Sequence, residues 1–119
     1  MSKAVYAVWD VESTGIDVFE DRIVQMFFAT ADAQGNLIDT WEWFIKPDIP
    51  VPEEAAAVHG FTNEYLAEHG GDPKETLTEI RDVFLKYRHL TQIAFNMNYD
   101  LSILDAEMKR YGVSDTCVS

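Results

Sequence analysis

The sequence predicts one α/β domain on a mixed sheet of four strands in the order 3-2-1-4, with helices on both faces. Three observations carry this. The first half of the chain is rich in β-prone apolar runs, whereas the second half is helix-patterned with one further strand. The second and third runs are separated only by a turn, which makes them a hairpin. The fourth run follows a helix, so a crossover must bring it back parallel to an earlier strand. The order is therefore β–β–β–α–β–α.

The elements follow from local chemistry. Ala4 to Trp9 is apolar and β-prone, and its near-continuous pattern predicts a strand buried on both faces. Arg22 to Ala31 is the second strand, and Ala33-Gln34-Gly35-Asn36 the turn after it. Leu37 to Ile45 alternates as a third strand, which Pro47, Pro50 and Pro52 end in an extended loop. Pro52 opens a short helix through the alanines at 55–57, and Thr62 caps another that stops at Gly70-Gly71. Pro73 starts a longer helix to about His89, with Leu77, Ile80, Val83, Phe84 and Tyr87 at helical spacing. Thr91 to Asn96 reads as a short buried strand. Asp100 to Tyr111 reads as a helix ending at Gly112, and Val113 to Val118 as the start of a fifth strand.

Composition narrows the function. The chain has 119 residues, one domain's worth, of which 47% are apolar and 13% aromatic, which excludes intrinsic disorder. A single cysteine, Cys117, excludes an internal disulfide. Nine basic against twenty-one acidic residues give a net charge of −12, so the usual basic nucleic-acid platform is excluded. No apolar run reaches the ~18 residues of a membrane span. The opening MSKAVYAVWD is not a signal peptide, because Asp10 breaks its apolar run. The expectation is a soluble cytoplasmic protein without a membrane partner.

Two acidic elements carry the chemistry. Asp10 and Glu12, two apart on a strand, point to one face. Paired carboxylates at the end of a buried strand repel each other and resist desolvation, and a divalent cation relieves both. Alternatively, they simply enter solvent where the strand ends. Asp100 follows the strand TQIAF at a helix start, where it serves either as a cap or as a third carboxylate. If the fourth strand lies parallel beside the first, Asp10, Glu12 and Asp100 converge at the carboxyl ends of adjacent strands, where open α/β sheets bind ligands.

The run V-W-D-V-E-S-T-G-I-D resembles the first motif of the DEDD exonuclease superfamily, usually D-x-E-T-T-G, with Ser13 in place of the first Thr. D-R-I-V-Q-M (21–26) resembles the family's second strand. The stretch 47–62 resembles its proline-rich loop followed by H-G-I-T, and A-F-N-M-N-Y-D (94–100) resembles G-H-N-x-x-F-D, with Phe95 where His is common. The match is ordered and spans essentially the whole chain. It implies a ribonuclease H-like fold and a metal-dependent 3′–5′ exonuclease acting on a single-stranded 3′ end of DNA or RNA. The cofactors implied are two Mg²⁺ or Mn²⁺ ions. Asp10 would bridge both ions, Glu12 would ligate the one that activates water, and Asp100 would hold the second. Thr14, Gly15 and Ile16 would contact the 3′-terminal nucleotide. His59 would face that nucleotide or its loop, and Asn96 would position the phosphate region. Without the resemblance, His59 reads as a histidine suited to a helix end. His69 and His89 read as ordinary helix-end residues, and Trp41, Trp43 and Phe44 as packing.

The family's third motif, a late His and Asp on a final helix, has no counterpart in 1–119, so the domain is expected to be C-terminally incomplete relative to the family. The surface left without that helix favours self-association or a partner such as a polymerase subunit. Two other readings stay open: a metal- or 3′-end-binding module of exonuclease ancestry, and a plain acidic α/β domain. A ribonuclease H-type endonuclease shares the fold class, but the loop from Pro47 to Thr62 favours the exonuclease branch.

Overall fold

The computed structural model describes residues 3–113, and the expected order of elements is present: β1 (Tyr6–Ser13), β2 (Ile23–Ala31), β3 (Leu37–Phe44), α1 (Glu53–His59), α2 (Asn63–His69), α3 (Pro73–Lys86), β4 (Thr91–Ala94) and α4 (Met97–Arg110). The strands form one sheet in the order β3-β2-β1-β4. β1 and β2 pair antiparallel, as do β2 and β3, whereas β4 runs parallel to β1. The expected fifth strand lies outside the described residues.

The turn between β2 and β3 is built by Asp32, whose Oδ1 accepts from the amides of Gln34 (3.0 Å) and Asn36 (2.9 Å). Thr62 and Asp72 cap α2 and α3 by accepting from the amides of Tyr65 and Glu75. The connection between α2 and α3 is pinned to the end of β3. Gly71 donates to Phe44 O at 2.8 Å and accepts from the amide of Lys46 at 2.9 Å. Gly70 must be glycine there, since a Cβ would lie 2.5 Å from the Lys46 nitrogen.

The main core lies between one sheet face and helices α3 and α4. Ala7, Trp9 and Val11 of β1 meet Leu77, Ile80 and Phe84 of α3 and Ile103, Leu104 and Met108 of α4. Phe84 packs edge-on against Trp9 at 5.0 Å and Phe28 at 5.1 Å, and Phe28 against Trp41 at 5.7 Å. Each such large apolar group contributes about 1.5–3 kcal/mol of transfer free energy. A smaller cluster of Val24, Val51 and Leu66, with Phe44, Ala55, Ala56 and Phe61 packed against it, seats α1 and α2 on the opposite face. Helices thus cover both faces.

Three expectations are corrected. β1 is not buried on both faces: Ala7, Trp9 and Val11 are buried while Tyr6, Val8, Asp10 and Glu12 are half-buried, because α1 and α2 cover only part of their face. β4 is not buried either: Thr91, Gln92 and Ile93 are exposed, and among the described residues β4 pairs with β1 alone. The last helix begins at Met97, not at Asp100, because Asn96 closes its first turn by accepting from the Asp100 amide at 2.9 Å. Among the described residues no helix is long and apolar enough to cross a membrane.

Candidate functional site

The parallel pairing of β1 with β4 decides where the acids meet. Trp9 lies opposite Ala94, so β1 continues into Asp10 and Glu12 just where β4 ends and leads into α4. Asp10 and Glu12 share the face opposite the main core. A β-bulge follows at once, between Glu12 and Ser13, breaking the pairing with β2. Bulges of this kind bend a strand and re-aim its side chains.

Asp100 lies in the first turn of α4 and is only 2% exposed. It is not the N-cap: Asn96 holds that position, and among the described residues Asp100 Oδ2 is buried without a hydrogen-bond partner. Burial, followed by the charges of Asp10 and Glu12, pushes its carboxyl up to about 6, against a backbone hydrogen bond from Asn96. Burial also raises Asp10, against a hydrogen bond from the Val11 backbone. Glu12 is raised by burial and then by Asp10, with His59 opposing. The three carboxylates lie within electrostatic reach of one another, and each is harder to ionise than a free carboxyl.

The turn after Glu12 is held from several sides. Thr14 is buried, its hydroxyl donating to Asp21 Oδ1 at 2.8 Å and accepting from the Arg22 amide at 3.0 Å. The Asp17 amide donates to Asp21 Oδ2 at 2.8 Å. Asp21 lies so close under Gly15 that a Cβ there would come within 2.5 Å of its Oδ2. Ser13 Oγ and the Tyr99 hydroxyl both lie within hydrogen-bond reach of Gly15 O, at 2.7 and 2.5 Å. From α1, His59 Nε2 lies 3.1 Å from Ser13 O, and its Nδ1 accepts from the Phe61 amide at 2.9 Å. An accepting Nδ1 leaves the proton on Nε2, so His59 donates to Ser13 O. Both ring nitrogens are engaged, and the ring stacks on Phe61 at 5.2 Å.

Beside this turn lies a cleft of about 180 Å³ lined by Glu12, Gly15, Ile16, Val58, His59 and Tyr99, among others. Ile16 is 92% and Val58 83% exposed, so two apolar side chains stand open to solvent. The structure thus gathers Glu12, Gly15, Ile16 and His59 at one cleft and sets Asp10 and Asp100 beside Glu12 through their charges. Thr14 is not part of the cleft lining, because its hydroxyl is turned to Asp21. Asn96 stands one turn ahead of Asp100 as the N-cap. Elsewhere, His69 contacts Tyr65 and Glu68 on α2, and Trp41 packs on Phe28 and Tyr87.

The donor set fits a hard divalent cation. Mutually repelling carboxylates and one buried, unpartnered carboxylate oxygen are what such an ion satisfies. Among the described residues no group of three or more His, Cys, Asp and Glu side chains is placed to hold a metal ion by itself. Magnesium-type sites rarely need such a group, since waters and substrate phosphates fill the shell. Sequence reasoning missed Asp21 and Tyr99. The signal for Asp21 is a hydroxyl-bearing residue seven positions earlier, which only the turn brings into contact. Tyr99 was legible as a polar aromatic beside Asp100.

The comparisons agree with this geometry. The family model described as Exonuclease matches residues 7–116. The DNA polymerase III PolC-type protein of Pediococcus pentosaceus is 26% identical over 110 residues, covering 92% of this chain and 7% of its own length. That of Mycoplasma genitalium is 28% identical over 114 residues, covering 95% of this chain and 8% of its own. Exonuclease I superposes with a TM-score of 0.86 at 18% identity, over 98% of this chain and 26% of that one. The metal-free complex of the Escherichia coli enzyme with single-stranded DNA gives 0.85, also at 18% identity. The fold is shared with these structures, and the chain spans under a tenth of the polymerases and about a quarter of exonuclease I. With motif, topology and family model in agreement over nearly its whole length, this chain belongs to the exonuclease family of the DEDD superfamily.

Proposed function

We propose that this chain carries the metal site of a 3′–5′ exonuclease that removes nucleotides from single-stranded DNA or RNA. The observation that carries the proposal is Asp100. A carboxylate that is 2% exposed, feels two further carboxylates and has one oxygen without a partner among the described residues is only half-satisfied by the protein. Asp10, Glu12 and Asp100 would hold two Mg²⁺ or Mn²⁺ ions. Such ions, when bound, supply charge neutralisation, phosphate polarisation and a more acidic water.

The remaining roles belong to the chain's own groups. Gly15 and Ile16 line the cleft beside Glu12 and would contact the terminal nucleotide, with exposed Ile16 and Val58 as apolar surfaces for a base. Thr14 holds Asp21 and through it the turn. Asn96 fixes the start of α4 and with it the phosphate region. His59 positions Ser13 rather than moving a proton, because both its nitrogens are engaged. The net charge of −12 leaves affinity to the metals and the 3′ end rather than to a basic surface.

Solved structures of exonuclease I show it with single-stranded DNA and with an SSB C-terminal peptide, and the PolC-type relatives are polymerases. They support a replication or repair setting and a polymerase or other subunit as partner. The partly covered sheet face, where Ile38 is 41% and Ile93 43% exposed, is where such a subunit or a second copy would rest. A second reading, a metal- and 3′-end-binding module without turnover, is favoured by the engagement of His59. It would lack general-base help worth about 10²–10⁴-fold.

The test is a 5′-labelled single-stranded oligonucleotide incubated with the chain and Mn²⁺, beside a thermal melt. Stepwise 3′ shortening abolished by Asp10→Ala supports the exonuclease. A Mn²⁺-dependent rise in melting temperature lost in Asp10→Ala, without shortening, supports the binding module. A melt indifferent to Mn²⁺ with no shortening overturns both.

A further inference from the structure

Several groups hold the turn after Glu12, but they differ in where they come from. Asp21 belongs to the same loop and His59 to α1. Tyr99 comes from α4, the helix that carries Asp100, and is its immediate neighbour. Its hydroxyl lies 2.5 Å from Gly15 O and 2.7 Å from Ser13 Oγ, and Ser13 Oγ lies 2.7 Å from the same carbonyl. Two protons serve these three contacts: both hydroxyls can donate to Gly15 O, or one donates there while the other donates to the first hydroxyl.

We propose that the Tyr99 hydroxyl is a positioning group that ties the helix bearing Asp100 to the turn following Glu12, and thereby sets the approach of the two acidic motifs. The proposal rests on the reading of this site as a metal site. Ser13 and Tyr99 each bring a hydroxyl, one from the turn and one from α4, and the two meet at 2.7 Å. A phenylalanine at 99 would lack that oxygen.

The hydroxyl is not required to satisfy the backbone. Without it, Ser13 Oγ still donates to Gly15 O. The Tyr99 ring packs against the main core, and phenylalanine would keep that packing. What Tyr99→Phe removes is the link between α4 and the turn. The same link fixes one wall of the cleft, since Gly15, Ser13 and Tyr99 all line it.

The experiment is Mn²⁺ titration of the chain and of Tyr99→Phe near neutral pH, with free Mn²⁺ read by electron paramagnetic resonance. Metal-free melts accompany each titration, and Asp100→Asn marks loss of the site. Loss of one hydrogen bond that acts on the site raises the Mn²⁺ dissociation constant about fivefold in Tyr99→Phe. The metal-free melting temperature should stay within about 2 °C, because core and backbone remain satisfied. Equal affinity in the two proteins overturns the positioning role and leaves the metal site standing. Weaker affinity together with a large fall in metal-free melting temperature also overturns it, because the hydroxyl is then structural. If the unsubstituted chain binds no Mn²⁺, the metal reading fails and this inference with it.

Discussion

Helix α4 carries two buried carboxylates two turns apart, on the same face, and the protein treats them in opposite ways. Glu107 is fully buried and paired. Its Oε2 accepts from the Ile23 amide at 3.3 Å, and its Oε1 pairs with Arg110, which also donates to Phe19 O. Asp100 is 2% exposed, yet its Oδ2 has no partner, and the nearby charges are those of Asp10 and Glu12. Burial raises both carboxyls. At Glu107 the Arg110 cation opposes burial, whereas at Asp100 like charges reinforce it. A buried charge is either paired by the protein or left for a metal. Glu107 joins α4 to the start of β2 and the 17–22 loop, whereas Asp100 Oδ2 gains no such partner among the described residues.

The largest test of that contrast is stability. Breaking a buried ion pair from one side costs about 3–5 kcal/mol. Glu107→Ala should therefore lower the metal-free unfolding free energy by about that amount in urea denaturation. Asp100→Asn should leave it within about 1 kcal/mol of the original or raise it, because it removes an unfavourable buried charge. Equal losses from the two substitutions would erase the distinction.

How far this contrast was legible in the sequence depends on the residue. The strand order, the hairpin, the cap at Thr62, the helix start at Pro73 and the meeting of Asp10, Glu12 and Asp100 at adjacent strand ends follow from local chemistry and from one crossover rule. Burial was less legible, because it depends on what covers a surface. The run Ala4–Trp9 suggested two-sided burial, but α1 and α2 reach only part of the Asp10 face. TQIAF suggested a buried strand, but among the described residues β4 pairs with β1 alone and is exposed. Glu107 read as one more helix acid, since its partners Ile23 and Arg110 include a backbone amide 84 positions away. The bulge after Glu12 and the Tyr99 contact with Gly15 arise from chain segments meeting in space, which spacing alone does not encode.

The next effect is the pH dependence of the metal-free chain. The Asp100 carboxyl is pushed up to about 6 in the folded state, whereas an unfolded aspartate titrates near ~3.9. Between those values the folded state binds more protons than the unfolded state, so unfolding free energy falls as pH rises. Its contribution is fully present below about pH 4 and lost on passing through about pH 6. Glu107 is raised as well and slopes in the same direction, so the diagnostic quantity is a difference. Subtracting the Asp100→Asn melting curve from that of the unsubstituted chain should leave a decline between about pH 4 and 7, which saturating Mn²⁺ flattens. A flat difference curve would mean that Asp100 is no more perturbed than a surface carboxylate.

The smallest effect comes from a third acid on the same helix. Asp105 pairs with Lys109 at 3.0 Å in the favourable i, i+4 spacing, but these side chains are 37% and 66% exposed. Water already solvates both groups, so the pair gains little from meeting. Lys109→Met should change the unfolding free energy by less than about 0.5 kcal/mol, and that change should shrink further in high salt. The Glu107 loss should survive the same salt, because its pair is shielded from the ions that screen an exposed one. A salt titration of both variants thus ranks the three acids of α4 by what surrounds them. Asp105 is held by solvent and an exposed lysine, and Glu107 by a backbone amide and an arginine. Among the described residues nothing pairs with Asp100 Oδ2. If Lys109→Met instead cost as much as Glu107→Ala, burial would not be what separates the acids of this helix, and the reading of Asp100 as a carboxylate reserved for a cation would lose its physical basis.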